Sequence, residues 1–249
     1  MHVQFLSNKS EKIKIMKWLW WTIVVLLLVL LLVVLLGVGF VRKATTPTYK
    51  GRGFCDQSAP WIPPQIVTSF LTPEERRYIL AYAEPRFEES KVVTGFDRNV
   101  RKSETAWIER DEPVVRPIIE RACNLANMPF ENAEKMQVVK YGPDGFYNAH
   151  YDASCDDTLE SVEFEKNGGQ RVLTVLCYLN DDFEGGATQF PTLGKDLKAP
   201  VDGALVFYSL QTPESGNQCH PLSLHAGMPV TSGQKYICNI WIRERAYTP

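Results

Sequence analysis

Histidine is scarce in this chain: His2, His150, His220 and His225 are the only four among 249 residues. No His-Glu-x-x-His pattern occurs, and the six cysteines (55, 123, 155, 177, 219 and 238) never form Cys-x-x-Cys. A helix-borne zinc hydrolase and a closed structural zinc shell are therefore excluded. Charge of one sign is lacking as well: 27 basic against 29 acidic residues leave a net charge of -2. No bulk basic field points to nucleic acid, and no nucleic-acid partner is expected. Internal repeats are absent, and long hydrophobic runs are absent with one exception.

That exception extends from Trp18 to Val41 without a charged residue. As a helix it would be long enough to cross the roughly 30 Å hydrocarbon core. It is too long for a cleavable signal peptide and too uniformly apolar for a core helix. Trp18, Trp20 and Trp21 suit one membrane interface. The expected layout is an N-terminal tail (1–17), a transmembrane signal anchor (18–41), a stem (42–58) and a folded domain (59–249). Lysines and arginines flank the run evenly, so orientation rests on architecture: a short tail before the run and all folded mass after it. A single-pass type II membrane protein is expected, its domain in the lumen of the endoplasmic reticulum or Golgi. Cysteine usage is compatible with an oxidising lumen. Cys55, Cys155 and Cys219 lie in polar loops and are disulfide candidates, whereas Cys177 and Cys238 read as buried small hydrophobes.

Thr72-Pro-Glu-Glu75 is a capping box with proline in the first turn, and Tyr78, Ile79, Ala81 and Tyr82 follow. A helix over about 73–84 is expected. Val115, Ile118, Ile119, Ala122 and Leu125 recur at helical spacing and imply a second helix with Asp111 as its cap. Pro117 either bends that helix or marks a later start. From residue 135 the chain changes to short strands between Gly, Pro and Asp turns, over 136–141, 146–151, 172–179, 187–190, 204–208, 223–225 and 235–243. Helices first and strands after indicate an α+β domain, its helices packed on a sheet pair or barrel.

In the strand-rich half, His150 and Asp152 stand two residues apart, so on a strand both point to one side. Two imidazoles and a carboxylate with open positions are the ligand set of non-haem Fe(II) oxygenases, and His225 is the better second imidazole. Alone, His150 reads equally as a hydrogen-bonded polar side chain; the specificity comes from its companions. His220 would face away from His225 on a continuous strand and reads as a polar loop residue. Such an oxygenase needs electrons for O2. A chelating 2-oxo acid supplies them, and its distal carboxylate needs a cation. Lys235 could be that cation, since strand parity sets Lys235, Ile237, Asn239, Trp241 and Arg243 on one face. A lysine on a half-buried strand is costly unless paired. The plainer alternative is an edge-strand lysine that blocks aggregation.

Gln137-Val-Val-Lys-Tyr141, His150-Tyr-Asp152, Gly169-Gln-Arg171, Glu184-Gly-Gly-Ala-Thr188, Leu224-His225-Ala-Gly and Lys235…Trp241-Ile-Arg243 carry a further resemblance. Residues from about 60 to 245 resemble the catalytic domain of prolyl 4-hydroxylases, 2-oxoglutarate- and Fe(II)-dependent dioxygenases, and look most like the short membrane-anchored kind. The resemblance implies a double-stranded β-helix (jelly-roll) core flanked by N-terminal helices. It implies iron held by His150, Asp152 and His225, and a salt bridge from Lys235 to the distal carboxylate of 2-oxoglutarate. Tyr141 and Thr188 would hydrogen-bond the same co-substrate, while Arg171, Tyr147 and Trp241 would line a peptide groove. Fe(II), 2-oxoglutarate and ascorbate are the implied cofactors, and a proline-containing peptide or protein is the implied partner. Arg243 departs from the pattern, because some relatives carry histidine shortly after the tryptophan. Two other readings stay open: an oxygenase acting on lysyl residues or nucleic-acid bases, and a catalytically silent anchored binding module.

Overall fold

The computed structural model describes residues 14, 16–32, 52–92, 95, 97–212 and 217–248. The chain divides into two units, Met1–Thr48 and Tyr49–Pro249. In the first, residues 16–32 form a helix, α1. The expected membrane anchor is corrected here: among the described residues no helix is long and apolar enough to cross a membrane. The type II topology and luminal placement derived from that anchor fall with it. Residues 1–13, 15 and 33–51, which include residues 33–41 of the expected anchor and much of the expected tail and stem, lie outside the described residues.

The second unit contains, in order, β1 (Gln65–Val67), α2 (Pro73–Ala83), β2 (Glu88–Glu89), β3 (Arg101–Lys102), β4 (Glu104–Ile108), α3 (Arg116–Ala126), β5 (Met136–Tyr141) and β6 (Phe146–His150). There follow α4 (Leu159–Lys166), β7 (Arg171–Tyr178), β8 (Phe183–Gly185), β9 (Thr188–Phe190), β10 (Lys195–Leu197), β11 (Ala204–Tyr208), β12 (His225–Gly227), β13 (Val230–Gly233) and β14 (Lys235–Arg243). The fold is mixed α and β with antiparallel sheets. A seven-stranded sheet has the order β1-β11-β7-β14-β5-β4-β2, and a five-stranded sheet the order β10-β9-β12-β6-β3. The strands β13 and β8 form a separate pair.

Local chemistry explains the helix limits. The Thr72 side chain accepts from the Glu75 N–H while the Glu75 carboxylate accepts from the Thr72 N–H, so the capping box at α2 forms reciprocally. Pro117 marks a later start: α3 begins at Arg116, where a missing proline N–H removes no intrahelical bond. The expected cap, Asp111, is corrected; it lies before the helix and pairs with Arg116 at 3.0 Å. Asn127 closes α3 in the left-handed region, φ 51°.

Strand β14 lies between β5 and β7, and its alternation sorts two environments. Cys238, Ile240 and Ile242 pack with Ile79, Ile118 and Ile119 of α2 and α3 in one core. Ile237 belongs to a second core with Val139, Tyr178, Phe190 and Phe207, the last two rings meeting edge to face at 5.3 Å. Cys177 and Cys238 are buried and directly opposite one another in the ladder, as small hydrophobes in the first core. Of the three loop cysteines, Cys155 and Cys219 form a disulfide across a sequence separation of 64, and Cys55 stays a thiol.

Closing a loop of 64 residues removes unfolded-state entropy equivalent to about 4 kcal/mol. A Cys155→Ala/Cys219→Ala variant is therefore expected to lose up to about 4 kcal/mol. Urea denaturation of the oxidised wild type beside the variant measures this.

Candidate metal centre and adjoining pocket

The end of β6 and the start of β12 meet in register, with His225 directly opposite His150. Strand β6 stops at His150, so Asp152 is not presented by a continuous strand as the spacing suggested; it follows in a bend. The three side chains nevertheless converge, their potential ligand atoms all within 4.8 Å of one another. Asp152 Oδ1 is 3.9 Å from His150 Nε2, and its Oδ2 is 3.7 Å from His225 Nε2.

Surrounding groups fix the orientation of each member. His150 Nδ1 donates to the Asn148 carbonyl at 2.8 Å, and His225 Nδ1 donates to the Ser223 carbonyl at 2.9 Å. Both lone pairs are thereby left on Nε2, facing the carboxylate. Thr174 donates to Asp152 Oδ2 at 2.6 Å from the neighbouring sheet. Burial, reinforced by the charge of His225, pushes the His150 pKa down to about 3. Burial acts against ionisation of Asp152, but electrostatic attraction to His225, His150 and Arg171, with the Thr174 hydrogen bond, holds it down at about 2. A neutral imidazole beside an ionised carboxylate is the protonation state that ligates a cation. Two Nε2 atoms and a carboxylate on one side of a point fit Fe(II) with open positions.

A cavity of about 360 Å³ adjoins this cluster, and all nine side chains singled out in the sequence open onto it. Lys235 is 2% exposed, and its ammonium lies 5.2 Å from the ring centres of both Tyr141 and Tyr178. Burial, together with the charge of Lys198, pushes its pKa down to about 7. No acidic side chain among the described residues pairs with it. Tyr141 is directly opposite Lys235 in the ladder. Thr188 shares a 2.9 Å hydrogen bond with the buried Tyr178 hydroxyl, whose pKa burial raises to about 12. Gly186 comes close to the lysine stem: its φ is +61°, and a Cβ there would sit 3.1 Å from Lys235 Cδ. Glycine alone fits that turn without strain.

At the other end of the cavity, Arg171 makes a two-pronged contact with Glu134, at 2.6 and 2.9 Å. Its guanidinium lies 3.7 Å from the Trp241 ring centre, and Nη1 is 3.9 Å from Asp152 Oδ1. Tyr147 stacks on His150 at 3.8 Å. The Trp241 indole N–H is buried without a hydrogen-bond partner among the described residues.

His220 is absent from this assembly. It is fully buried, stacked on Trp61 at 4.9 Å, with Nδ1 accepting from the Leu222 N–H and Nε2 donating to the Ala59 carbonyl. Sequence reasoning assigned no role to Arg101, Glu134, Gln137 and Asn239, which are all buried. Arg101 donates to Ser103 at 2.8 Å and covers the Tyr147 ring at 4.6 Å. Asn239 donates to Gln137 at 3.0 Å on the cavity floor. The one available signal was parity, which had already placed Asn239 on the Lys235 face.

Residues 136–243 match the model of the 2OG-Fe(II) oxygenase superfamily. The chain is 45% identical over 189 residues to a protein of Acanthamoeba polyphaga mimivirus assigned as a prolyl 4-hydroxylase, covering 76% of this chain and 77% of that one. It is 38% identical over 208 residues to prolyl 4-hydroxylase 1 of Arabidopsis thaliana, covering 75% and 71%. Among solved structures it is similar to the viral collagen prolyl hydroxylase of Paramecium Bursaria Chlorella virus-1 in its 2OG complex. That match has a TM-score of 0.56 and 28% identity over 72% of this chain and 94% of that one.

Alanine at His150 or Asp152 is expected to abolish Fe(II) binding, whereas His220→Ala leaves it intact while lowering thermal stability. Thr174→Val, which strips one support from Asp152, should weaken Fe(II) binding by about 10-fold. Titration of the anaerobic protein with Fe(II) measures all four variants.

Proposed function

This chain belongs to the prolyl 4-hydroxylase family of 2OG-Fe(II) oxygenases, and from that premise we propose that it hydroxylates peptidyl-proline at C4. O2 and 2-oxoglutarate are consumed, and succinate and CO2 are released. The observation that carries the reading is a single cavity with two histidines and a carboxylate clustered at one place and, at another, a buried lysine with no acidic partner among the described residues. The two large antiparallel sheets are read as the halves of a double-stranded β-helix, and residues 59–249 as the catalytic domain.

His150, Asp152 and His225 would hold Fe(II), and bound Fe(II) with 2-oxoglutarate supplies the oxidising chemistry. Lys235 binds the distal carboxylate of the co-substrate, while Tyr141 and Thr188 donate hydrogen bonds to it. Without a carboxylate partner the ammonium is costly to bury, so the co-substrate offsets a penalty that the folded protein already carries. The walls around Lys235 exclude water and fix the far end of the co-substrate, which orients its keto acid end toward the metal ligands. Arg171, Tyr147 and Trp241 face the peptide. The indole N–H and the guanidinium are donors, suited to a proline-rich chain that has carbonyls but few N–H groups. Ascorbate is the proposed reductant that keeps the metal ferrous.

With Fe(II), ascorbate, 2-oxoglutarate and a poly-proline or proline-rich peptide, succinate release should match the yield of peptide heavier by one oxygen in mass spectrometry. Succinate release with unmodified peptide would point to another substrate class. Lys235→Ala should chiefly raise the 2-oxoglutarate KM, and an unaltered KM would remove its assigned role. The pH dependence follows from the same group. Below about pH 7 the lysine is protonated before and after binding, so affinity is flat. Above about pH 7 the free protein must take up a proton to bind, so Kd should rise up to about tenfold per pH unit. Calorimetry in buffers of differing ionisation heat reads that proton directly.

A further inference from the structure

Arg243 ends β14 and is 3% exposed, yet it does not line the cavity. Its Nε donates to Glu134 Oε1 at 2.7 Å, the same oxygen that receives Arg171 Nε. Its Nη1 donates to two main-chain carbonyls, Phe164 at 2.8 Å and Gly169 at 2.6 Å. The first carbonyl belongs to the last turn of α4 and the second to the connection from α4 to β7. The guanidinium also lies over the Phe164 ring at 4.1 Å, and Arg171 lies over the same ring at 5.3 Å. Phe164 lines the cavity. One planar fork thus joins the floor strand, the carboxylate that aims Arg171, and the α4 wall.

Charge reinforces the geometry. An isolated Arg171–Glu134 pair would be neutral. With Arg243 the group holds two cations for one anion, and the surplus faces Asp152 across the 3.9 Å gap from Arg171. Burial opposes ionisation of Glu134, but Arg171 and then Arg243 keep its carboxyl below the ordinary value. Lysine could supply the charge but not the fork, because a single ammonium cannot match these directions.

We propose that Arg243 is a positioning residue for the peptide-binding half of the cavity: it clips the α4–β7 connection to Glu134 and so fixes Arg171 and Phe164 where the peptide enters. This rests on the prolyl hydroxylase reading above. It predicts a division between the two substrates, since Lys235, Tyr141 and Thr188 share no hydrogen bond or ion pair with the clip.

The test compares the full-length protein with its Arg243→Lys, Arg243→Gln and Phe164→Ala variants. A displaced wall is expected to raise the poly-proline peptide KM by about tenfold or more, with the 2-oxoglutarate Kd held within about twofold. Amide hydrogen exchange over residues 159–169 should speed up in both Arg243 variants, with lysine failing to restore it. Unchanged exchange in Arg243→Gln overturns the proposal, as does an equal loss of 2-oxoglutarate binding. Phe164→Ala leaves the buried charges in place and tests the wall if the Arg243 variants fold poorly; an unchanged peptide KM there also overturns it. If the wild type modifies no proline peptide, the functional reading fails, and the exchange experiment still decides the clip.

Discussion

Alternation along one buried strand is the constraint on which this molecule depends. β14 is hydrogen-bonded on both edges, to β5 and β7, so neither its register nor its facing can drift without breaking two ladders. Even-numbered residues fill the core beneath the helices, while odd-numbered residues from Lys235 to Trp241 form the cavity floor. A slip of one residue would bury the wrong set and place a lysine against α2 and α3. Stability and chemistry are therefore specified by the same hydrogen bonds.

Unbalanced charge is the second organising feature. Lowering the Lys235 pKa from 10.5 to about 7 corresponds to roughly 5 kcal/mol for holding the ammonium charged. A whole domain is stable by only about 5–15 kcal/mol, so such a group persists for a reason beyond packing. Under the proposed function an anionic co-substrate would relieve the penalty, making affinity part of the way the fold is balanced. The opposite end is handled differently: Glu134 is shared between two guanidiniums, and Asp152 between two imidazoles.

Much of this was legible in the sequence where the governing interactions are local or periodic. The capping box at Thr72 and the facing of Lys235 with Trp241 follow from spacing, whereas Pro117 left a bend and a later start equally open. His150, Asp152 and His225 were found because so few histidines compete for the role. Glu134 was invisible, since its partner Arg243 is 109 positions away and a glutamate before a strand reads as surface. Arg101 was missed for the same reason: an arginine on a two-residue strand gives no hint that Tyr147 will cover it. The Cys155–Cys219 pairing needed the approach of two loops that no spacing rule brings together. At the N-terminus the apolar composition was plain, and among the described residues no helix is long and apolar enough to cross a membrane.

The facing of His225 with His150 has a consequence for how the protein matures. Neither imidazole meets the other until β12 has docked against β6, and Asp152 is braced by Thr174 only when the second sheet is also in place. A collapsed chain with loose strands owns every ligand and no centre. Iron uptake during refolding would thus act as a clock for this long-range pairing, silent through collapse and sounding once the sheets lock.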